Sequence, residues 1–207
     1  MSLWLPGSAS RPGETVPVNG DAPAPVPTPI LFLDRDGVII EDRNYISRPE
    51  QVVLIPGVAT ALRRARDAGL QLVGISNQSG IGRGLYSEDD FVAVQTRVDQ
   101  LLAREQVVLD ALYYCPHAPE ENCDCRKPAP GLLREARRHF AWTPSRSWLV
   151  GDKVSDVELA RAEQLGALLV LTGQGAQQRQ LLPGATTVRV CADLDEAVAW
   201  ILGEERS

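Results

Sequence analysis

Short apolar runs alternate with amphipathic segments along most of the chain. Residues 30–33 form a continuous apolar run that ends at Asp34, which is typical of a strand buried on both faces of a parallel sheet. Residues 57–68 carry apolar side chains at helical spacing, and Gly69 can end that helix. The pattern predicts further strands at 70–76, 111–114, 148–150 and 167–171, and further helices at 87–104, from Pro130 onward, at 155–165 and at 193–202.

Strands that alternate with helices predict an α/β fold, a Rossmann-like, doubly wound parallel sheet with right-handed crossovers. Ligands of such open sheets bind at the carboxyl ends of the strands. Asp34, Ser76, the cysteine-containing segment 115–125 and Asp152 each follow a predicted strand. We therefore expect these residues to meet in one crevice.

The first 29 residues differ from the rest of the chain. They hold seven of the fifteen prolines, few large apolar residues and no periodicity, which predicts a disordered leader (1–29) before a single domain (30–207). The leader has neither the basic start nor the apolar centre of a secretory signal. The longest apolar run, 167–171, is far shorter than the roughly 20 residues of a membrane helix. These features predict a protein without a membrane segment.

Charge and composition narrow the choice of partners. The formal net charge is −6, which argues against duplex nucleic acid because phosphate backbones bind concentrated positive charge. Of the 21 basic residues, nineteen are arginine and two are lysine, Lys127 and Lys153. In a chain so rich in arginine, each lysine either marks a position that needs a compact ammonium group or lies there by chance.

Three of the four cysteines lie close together, at Cys115, Cys123 and Cys125, with His117 between them. Three thiolates and one imidazole form a closed tetrahedral set that suits a structural Zn²⁺. Such a site without a secretory signal predicts a reducing compartment, the cytoplasm. We interpret Cys191, which stands apart, as a small buried residue.

Acidic pairs follow two of the predicted strands. In Asp34-Arg35-Asp36-Gly37, one carboxylate can attack a phosphorus centre while its neighbour handles protons, although an ordinary acidic turn has the same composition. Asp152 and Asp156 form the second pair. A carboxylate from each pair suits Mg²⁺, and helix capping is the alternative for the second pair.

Two further segments point to a phosphate ligand. Ser76 ends a predicted strand with a hydroxyl group, and the glycine-rich loop 77–84 that follows can wrap a phosphate oxygen. Arg126 and Lys127 place two cations just before a helix. Taken singly, the loop could be a common turn and the cations a solvated pair.

In this order, the four features resemble the four motifs of the haloacid dehalogenase (HAD) superfamily of phosphatases, over about residues 30–172. The resemblance implies that Asp34 is the nucleophile and that Asp36 protonates the leaving oxygen and then activates water. It also implies that Ser76 and Lys127 hold the phosphoryl group. The implied Mg²⁺ ligands are Asp34, the carbonyl of Asp36 and Asp152, with Asp156 in support.

The cysteine segment is similar to that of two zinc-loop phosphatase families, the D-glycero-D-manno-heptose 1,7-bisphosphate phosphatases and the histidinol-phosphate phosphatases. Segment 76–84 and Gly151-Asp152-Lys153 resemble the heptose family, whose loop usually begins with threonine instead of Ser76. The five-residue gap between His117 and Cys123 is closer to the histidinol family. The heptose resemblance implies these substrate-binding residues: Asp42, Arg43, Asn44, Tyr45, Asn77, Gln78, Ser79, Arg126 and Lys153.

The resemblance implies an Mg²⁺-dependent enzyme that removes the C7 phosphate of a heptose bisphosphate, in nucleotide-heptose and lipopolysaccharide precursor synthesis. Hydrolysis of histidinol phosphate in histidine biosynthesis is the alternative. A phospho-ligand sensor or a zinc interaction module could dispense with the nucleophile, whereas Asp34 and Asp36 are both present. Because few residues separate the motifs, we expect minimal or no cap domain, an open site with the zinc loop as its rim, and a monomer.

Overall fold

The computed structural model describes residues 2–4, 27–182 and 188–203. Its centre is one seven-stranded sheet. In chain order the strands are β1 (Ser2–Trp4), β2 (Ile30–Leu33), β3 (Gln71–Asn77), β4 (Ala111–Cys115), β5 (Trp148–Gly151), β6 (Gly166–Val170) and β7 (Arg189–Cys191). The spatial order is β1-β4-β3-β2-β5-β6-β7, and all neighbours are parallel except β1 and β4.

Helices cover both faces of this sheet. They are α1 (Val58–Asp67), α2 (Ser79–Gly82), α3 (Glu88–Arg104), α4 (Gly131–Ala136), α5 (Val154–Ala162), α6 (Gly175–Gln178) and α7 (Leu194–Ile201). Short 3₁₀ helices lie at Pro49–Gln51, Pro119–Glu121, Pro144–Arg146 and Arg179–Leu181. Apolar residues of α1, α3 and α7 share one core cluster with the sheet, and those of α4 and α5 share the other. The doubly wound α/β architecture is confirmed.

Strand β2 lies at the middle of the sheet and is buried on both faces. Leu31 and Leu33 face α1, α3 and α7, whereas Ile30 and Phe32 face α4 and α5. A continuous apolar run is the sequence that such a strand needs, because alternate side chains point to opposite faces. This burial explains why the segment was recognisable in the sequence.

The direction of winding reverses at the centre of the sheet. The chain passes from β2 to β3 and β4 on one side, and from β5 to β6 and β7 on the other. Neighbouring loops at such a reversal diverge and leave a crevice at the carboxyl ends of the strands. The backbone amide of Asp34 donates to the carbonyl of Val150 at 3.0 Å, which fixes the end of β2 against β5. The motifs that follow β2 and β5 are therefore adjacent in space.

The N-terminal edge of the sheet departs from the predicted leader. Residues 2–4 pair with β4, where Trp4 is 6% exposed and its indole Nε1 donates to Asp99 Oδ2 at 2.7 Å. The prediction of disorder is wrong for these three residues, because burial of a tryptophan on a sheet edge offsets the entropy cost of ordering them. The remainder of the predicted leader up to residue 26 lies outside the described residues.

Other elements differ from the predictions by a few residues. Strand β7 was not predicted, because three residues are too short to show a periodicity. Cys191 at its end is buried, as the sequence indicated. Within the described parts of the chain, no segment between strands forms a separate domain over the sheet, and none of the described helices is both long and apolar enough to cross a membrane.

Candidate active site

Asp34 lies directly after β2, buried among positive groups. Lys127 Nζ contacts its Oδ1 at 3.0 Å, Lys153 Nζ approaches its Oδ2 at 3.9 Å, and the amide of Arg35 donates to Oδ1 at 2.8 Å. Burial alone would raise the pKa of Asp34, but the two ammonium groups and the hydrogen bonds outweigh it and hold the pKa below its usual range. The surroundings of Asp34 therefore favour its ionised form at the edge of the buried core.

Lys127 is a deeply buried cation of this site. Its Nζ contacts Asp34 at 3.0 Å and Asp156 at 2.6 Å, and it donates to the carbonyl of Ile75 at 2.8 Å. Burial opposes the charged form, but the two carboxylates outweigh it and raise the pKa of Lys127. The backbone of Lys127 is held in turn by Asn77, whose side chain accepts from its amide and donates to its carbonyl. This brace joins the end of β3 to the segment after β4.

Three carboxylates meet beneath the lysines. Oxygens of Asp34, Asp152 and Asp156 all lie within 4.8 Å of one another. Burial and the neighbouring Asp34 carboxylate raise the pKa of Asp152 to about 7. Its Oδ2 accepts from the amide of Gln174 at 2.8 Å, whereas its buried Oδ1 has an ion contact with Lys153 at 3.1 Å but makes no hydrogen bond. Like charges this close repel one another, and cations such as the two lysines or a metal ion stabilise them.

These oxygens fit Mg²⁺, which prefers a few carboxylates together with water and substrate oxygens. Asp34 and Asp152 can supply the carboxylates. Asp156 is engaged otherwise, because its Oδ1 pairs with Lys127 and its Oδ2 accepts from the amide of Lys153 at 3.2 Å. That position agrees with a supporting role. The carbonyl of Asp36 stays a predicted ligand.

The backbone leaves room for the Asp152 carboxylate through one glycine in particular. Gly37 has φ +88°, and a Cβ built on it would collide with the side chain of Asp152. Glycine tolerates both the left-handed conformation and the close approach. Gly37 therefore allows both the turn after Asp36 and the close approach of the Asp152 carboxylate.

Asp36 lies beside Asp34 in a separate hydrogen-bond network. Its carboxylate is paired with the neighbouring Arg35, and Gln78 Nε2 donates to Asp36 Oδ2 at 2.8 Å and to Ser76 Oγ at 2.7 Å. Gln78 Oε1 accepts from the hydroxyl of Tyr86 at 2.7 Å. The network links the predicted proton-transfer residue to the predicted phosphate-binding hydroxyl.

A cavity of about 290 Å³ opens above these groups. Most of the predicted site residues line it: Asp34, Asp36, Asp42, Asn44, Tyr45, Asn77, Gln78, Ser79, Arg126, Lys127 and Lys153. Ser76, Asp152 and Asp156 are buried next to these residues. Arg43 does not line the cavity, and it donates instead to Glu41 Oε2 at 2.7 and 2.9 Å on the exposed surface.

The glycine-rich segment after β3 is not an open loop. It forms α2, and the amides of Ile81, Gly82 and Arg83 donate to protein carbonyls. The expectation that this segment wraps a phosphate oxygen is therefore wrong for these amides. Side chains of Asn77, Gln78 and Ser79 face the cavity in their place.

Several lining residues were missed in the sequence. Arg35 and Tyr86 support the Asp36 network, and Gln174 donates from its side chain to Asp42 Oδ2 at 2.9 Å as well as from its backbone to Asp152. Gln174 lies in the sequence Thr172-Gly173-Gln174-Gly175 after β6. This turn of small residues after a strand was the sequence signal that could have identified Gln174. Ile46 and Ser155 also line the cavity, and no sequence signal marked them.

The cysteine segment forms the predicted cluster. The sulfurs of Cys115, Cys123 and Cys125 are 3.2–3.5 Å apart, and His117 Nδ1 lies 3.6 Å from Cys115 and 3.2 Å from Cys125. A tetrahedral Zn²⁺ with bonds of about 2.3 Å to sulfur requires sulfurs about 3.8 Å apart, so this set closes around such an ion with small adjustments. Burial raises the pKa of the Cys115 and Cys125 thiols, so a cation is needed to keep them as thiolates.

Comparisons with known proteins identify phosphatases as relatives of this chain. A HAD-hydrolase-like family model matches residues 124–197. The D-glycero-β-D-manno-heptose-1,7-bisphosphate 7-phosphatase of Escherichia coli (strain K12) is 38% identical over 178 residues, 82% of this chain and 93% of that protein. The protein of the same name from Pseudomonas aeruginosa is 40% identical over 149 residues, 72% of this chain and 84% of that one.

Two solved structures have the same fold. The D,D-heptose 1,7-bisphosphate phosphatase of B. bronchiseptica, complexed with magnesium and phosphate, has a TM-score of 0.80 and 32% identity and covers 86% of this chain and 99% of that one. The corresponding phosphatase of Burkholderia thailandensis has a TM-score of 0.66 and 26% identity, with 84% and 98% covered.

Together, the sheet, the acidic strand ends and the buried lysine define a HAD-like phosphatase, a phosphoric monoester hydrolase. Within this class, the chain belongs to the D-glycero-β-D-manno-heptose-1,7-bisphosphate 7-phosphatase family. Membership in a family of phosphatases also argues against the alternatives of a phosphate sensor or a zinc interaction module.

Proposed function

We propose that this protein removes the C7 phosphate of D-glycero-D-manno-heptose 1,7-bisphosphate through an aspartyl-phosphate intermediate on Asp34. The observation that carries the proposal is the position of the Asp34 carboxylate, held by Lys127 and Lys153 at an open cavity in a chain of this family. Such hydrolysis would belong to the synthesis of nucleotide-heptose precursors of lipopolysaccharide.

Asp34 would attack the phosphorus atom, and the positive groups around it would stabilise the product of that attack. Charge develops on the equatorial oxygens of the phosphoryl group during transfer, and fixed donors aimed at these oxygens lower the barrier. Lys127 is placed to do this because it already contacts Asp34 at 3.0 Å. Ser76 would add a hydroxyl from the end of β3.

Mg²⁺ would be held by Asp34, Asp152 and the carbonyl of Asp36. When bound, it would supply positive charge for the transferring phosphoryl group. Asp36 would protonate the leaving sugar oxygen and would then take a proton from the water that hydrolyses the acyl phosphate. Both steps need a carboxylate that is ordered and reachable from the cavity.

The rim of the cavity would recognise the rest of the sugar. Arg126 lines the cavity, and its buried Nη1 has no hydrogen-bond partner among the described residues. A guanidinium group binds phosphate oxygens through paired hydrogen bonds, so Arg126 suits the second phosphate of a bisphosphate. Asp42, Asn44 and Tyr45 would contact sugar hydroxyls, and the exposed Arg43 has no equivalent position in the cavity.

The four-residue Cys and His cluster would hold a structural Zn²⁺, since four protein ligands leave no position for substrate. Its last ligand, Cys125, directly precedes Arg126 and Lys127. The zinc would therefore brace the cations that meet the substrate. Cysteines that form no disulfide also support the prediction of a reducing, cytoplasmic compartment. A monomeric state stays a prediction from the sequence.

Phosphate release from both anomers of heptose 1,7-bisphosphate and from histidinol phosphate, with Mg²⁺ present, tests this function. We expect kcat/KM for one heptose anomer to exceed that for histidinol phosphate by at least about tenfold, roughly the 1.4 kcal/mol that one specific phosphate contact can provide. Asp34→Asn, which keeps the shape and removes the nucleophile, should lower the rate by at least about 1,000-fold. A preference for histidinol phosphate would contradict the proposal.

A further inference from the structure

Arg35, between the two aspartates, is among the most deeply buried large side chains of the described residues, at 1% exposed. A guanidinium group is charged at any physiological pH, and its burial is costly unless it is paired and hydrogen-bonded. The sequence assigned no role to this residue. Its Nε and Nη2 groups are hydrogen-bonded, whereas its buried Nη1 has no hydrogen-bond partner among the described residues.

Arg35 binds the carboxylate of the adjacent residue, Asp36. Its Nε donates to Asp36 Oδ2 and its Nη2 donates to Asp36 Oδ1, each at 3.1 Å. Nη2 also donates to Gln78 Oε1 at 3.1 Å, and the guanidinium carbon lies 5.1 Å from the centre of the Phe91 ring. The group is therefore fixed by a planar fork, an amide and an aromatic face, and it can hold Asp36 in one orientation.

The two oxygens of Asp36 are left in different states. Oδ2 accepts hydrogen bonds from Arg35 Nε and from Gln78 Nε2 and also lies 3.0 Å from Arg35 Nη2, whereas Oδ1 accepts one, from Arg35 Nη2 at 3.1 Å. The Asp36 side chain is 20% exposed and lines the cavity. Oδ1 is thus the oxygen with spare capacity for a proton.

We propose that Arg35 is a positioning residue for proton transfer, which holds the Asp36 carboxylate so that Oδ1 carries the proton to the leaving oxygen. The proposal rests on the proposed phosphatase function. In that step, an Asp34 oxygen bonds to phosphorus, the bond from phosphorus to the ester oxygen breaks, and the proton on Asp36 Oδ1 moves to that oxygen. Without the fork, Asp36 would rotate away while Asp34 and Lys127 keep their places.

The dependence of the transfer rate on the leaving group distinguishes a role in proton transfer from a general loss of active-site structure. A sugar alkoxide is a strong base and needs the proton, whereas 2,4-dinitrophenolate is a weak base and departs without it. In single-turnover measurements with Mg²⁺, Arg35→Lys should slow phosphoryl transfer from heptose 1,7-bisphosphate by about 100-fold. Transfer from 2,4-dinitrophenyl phosphate should change less than about threefold. Asp36→Asn should give the same split.

Arg66→Lys is the matched control, because Arg66 pairs with Asp110 at 3.0 Å on the surface near the start of β3, at the opposite end of that strand from the site. Arg66→Lys removes a comparable pairing of a guanidinium group with a carboxylate, and it should leave the phosphoryl-transfer rates with both substrates unchanged. Equal losses with the two substrates in Arg35→Lys, or no loss with either, would overturn the proposal.

A second variant covers the case in which Arg35→Lys does not fold. Tyr86→Phe removes only the hydroxyl group that donates to Gln78, and it should show the same split at a smaller size. Equal losses in this variant would also overturn the proposal. If wild type does not hydrolyse heptose 1,7-bisphosphate, the proposed function fails, and the split is measured with histidinol phosphate as the alkyl ester.

Discussion

Lys127 and Lys153 are the two lysines of the chain, and both lie at the cavity. The ammonium group of Lys127 has oxygens of Asp34, Asp156 and Ile75 within 3.0 Å, a spacing that suits a small point charge. A planar guanidinium group is larger and binds two oxygens in one plane. The geometry therefore supports the interpretation that position 127 requires lysine.

Replacing Lys127 with arginine tests this requirement. Lys127→Arg keeps the charge, but we expect kcat to fall by at least about 100-fold because the guanidinium group cannot take the same place between the carboxylates. Lys153→Arg should cost less, since the Lys153 side chain is 30% exposed and has room to extend. Steady-state kinetics with Mg²⁺ measure kcat of both variants. Near-normal turnover of Lys127→Arg would show that the position of this lysine is a coincidence.

At the scale of elements, the segment after β4 is organised by its cluster of thiols and imidazole. We expect about one zinc per chain that survives an EDTA wash which removes Mg²⁺. Cys125→Ser should lose this zinc and most of the activity, because Cys125 adjoins Arg126 and Lys127. Elemental analysis is the measurement.

Cys191→Ser is the control for the zinc prediction, since Cys191 is a buried cysteine in β7 outside the cluster. It should keep its zinc. Absence of zinc from the wild-type protein would contradict the assignment of the cluster.

The pairing of edge strand β1 leads to a prediction about stability. Trp4 packs with Tyr86, Phe91 and Tyr114 and donates to Asp99. Trp4→Ala should lower the free energy of unfolding by about 3 kcal/mol, and Trp4→Phe, which keeps an aromatic ring and loses the hydrogen bond, by about 1 kcal/mol. Urea denaturation measures both values. An unchanged midpoint for Trp4→Ala would show that the pairing of β1 adds nothing to stability.

Elements could be predicted where the sequence carried a sustained pattern. The buried run of β2 and the amphipathic repeat of α3 are long enough to be recognised. Strands β1 and β7 have three residues each, and their existence depends on pairing partners far along the chain. Helix α2 was concealed by its glycines, because its first turn is set by contacts with residues after β4.

At the scale of the whole molecule, the site is assembled from the ends of neighbouring strands. The order of the motifs predicted that Asp34, Ser76, the cysteine-containing segment and Asp152 would meet in one crevice. Asp34, Ser76 and Asp152 do lie together, because the winding reverses between β2 and β5, and Arg126 and Lys127, directly after the cysteine segment, line the cavity beside them. The fork from Arg35 and the outward direction of Arg43 could not be predicted, since they depend on side-chain directions in turns without a repeating pattern.

The most direct test of the proposed function follows the two phosphate groups of the substrate. Wild-type protein with Mg²⁺ is incubated with heptose 1,7-bisphosphate, and ³¹P NMR records which phosphate becomes inorganic. We predict that the C7 phosphate signal disappears while the anomeric C1 phosphate signal remains, and that Asp34→Asn leaves both signals unchanged. Loss of the C1 phosphate, or no loss of either while histidinol phosphate is hydrolysed, would contradict the proposed function.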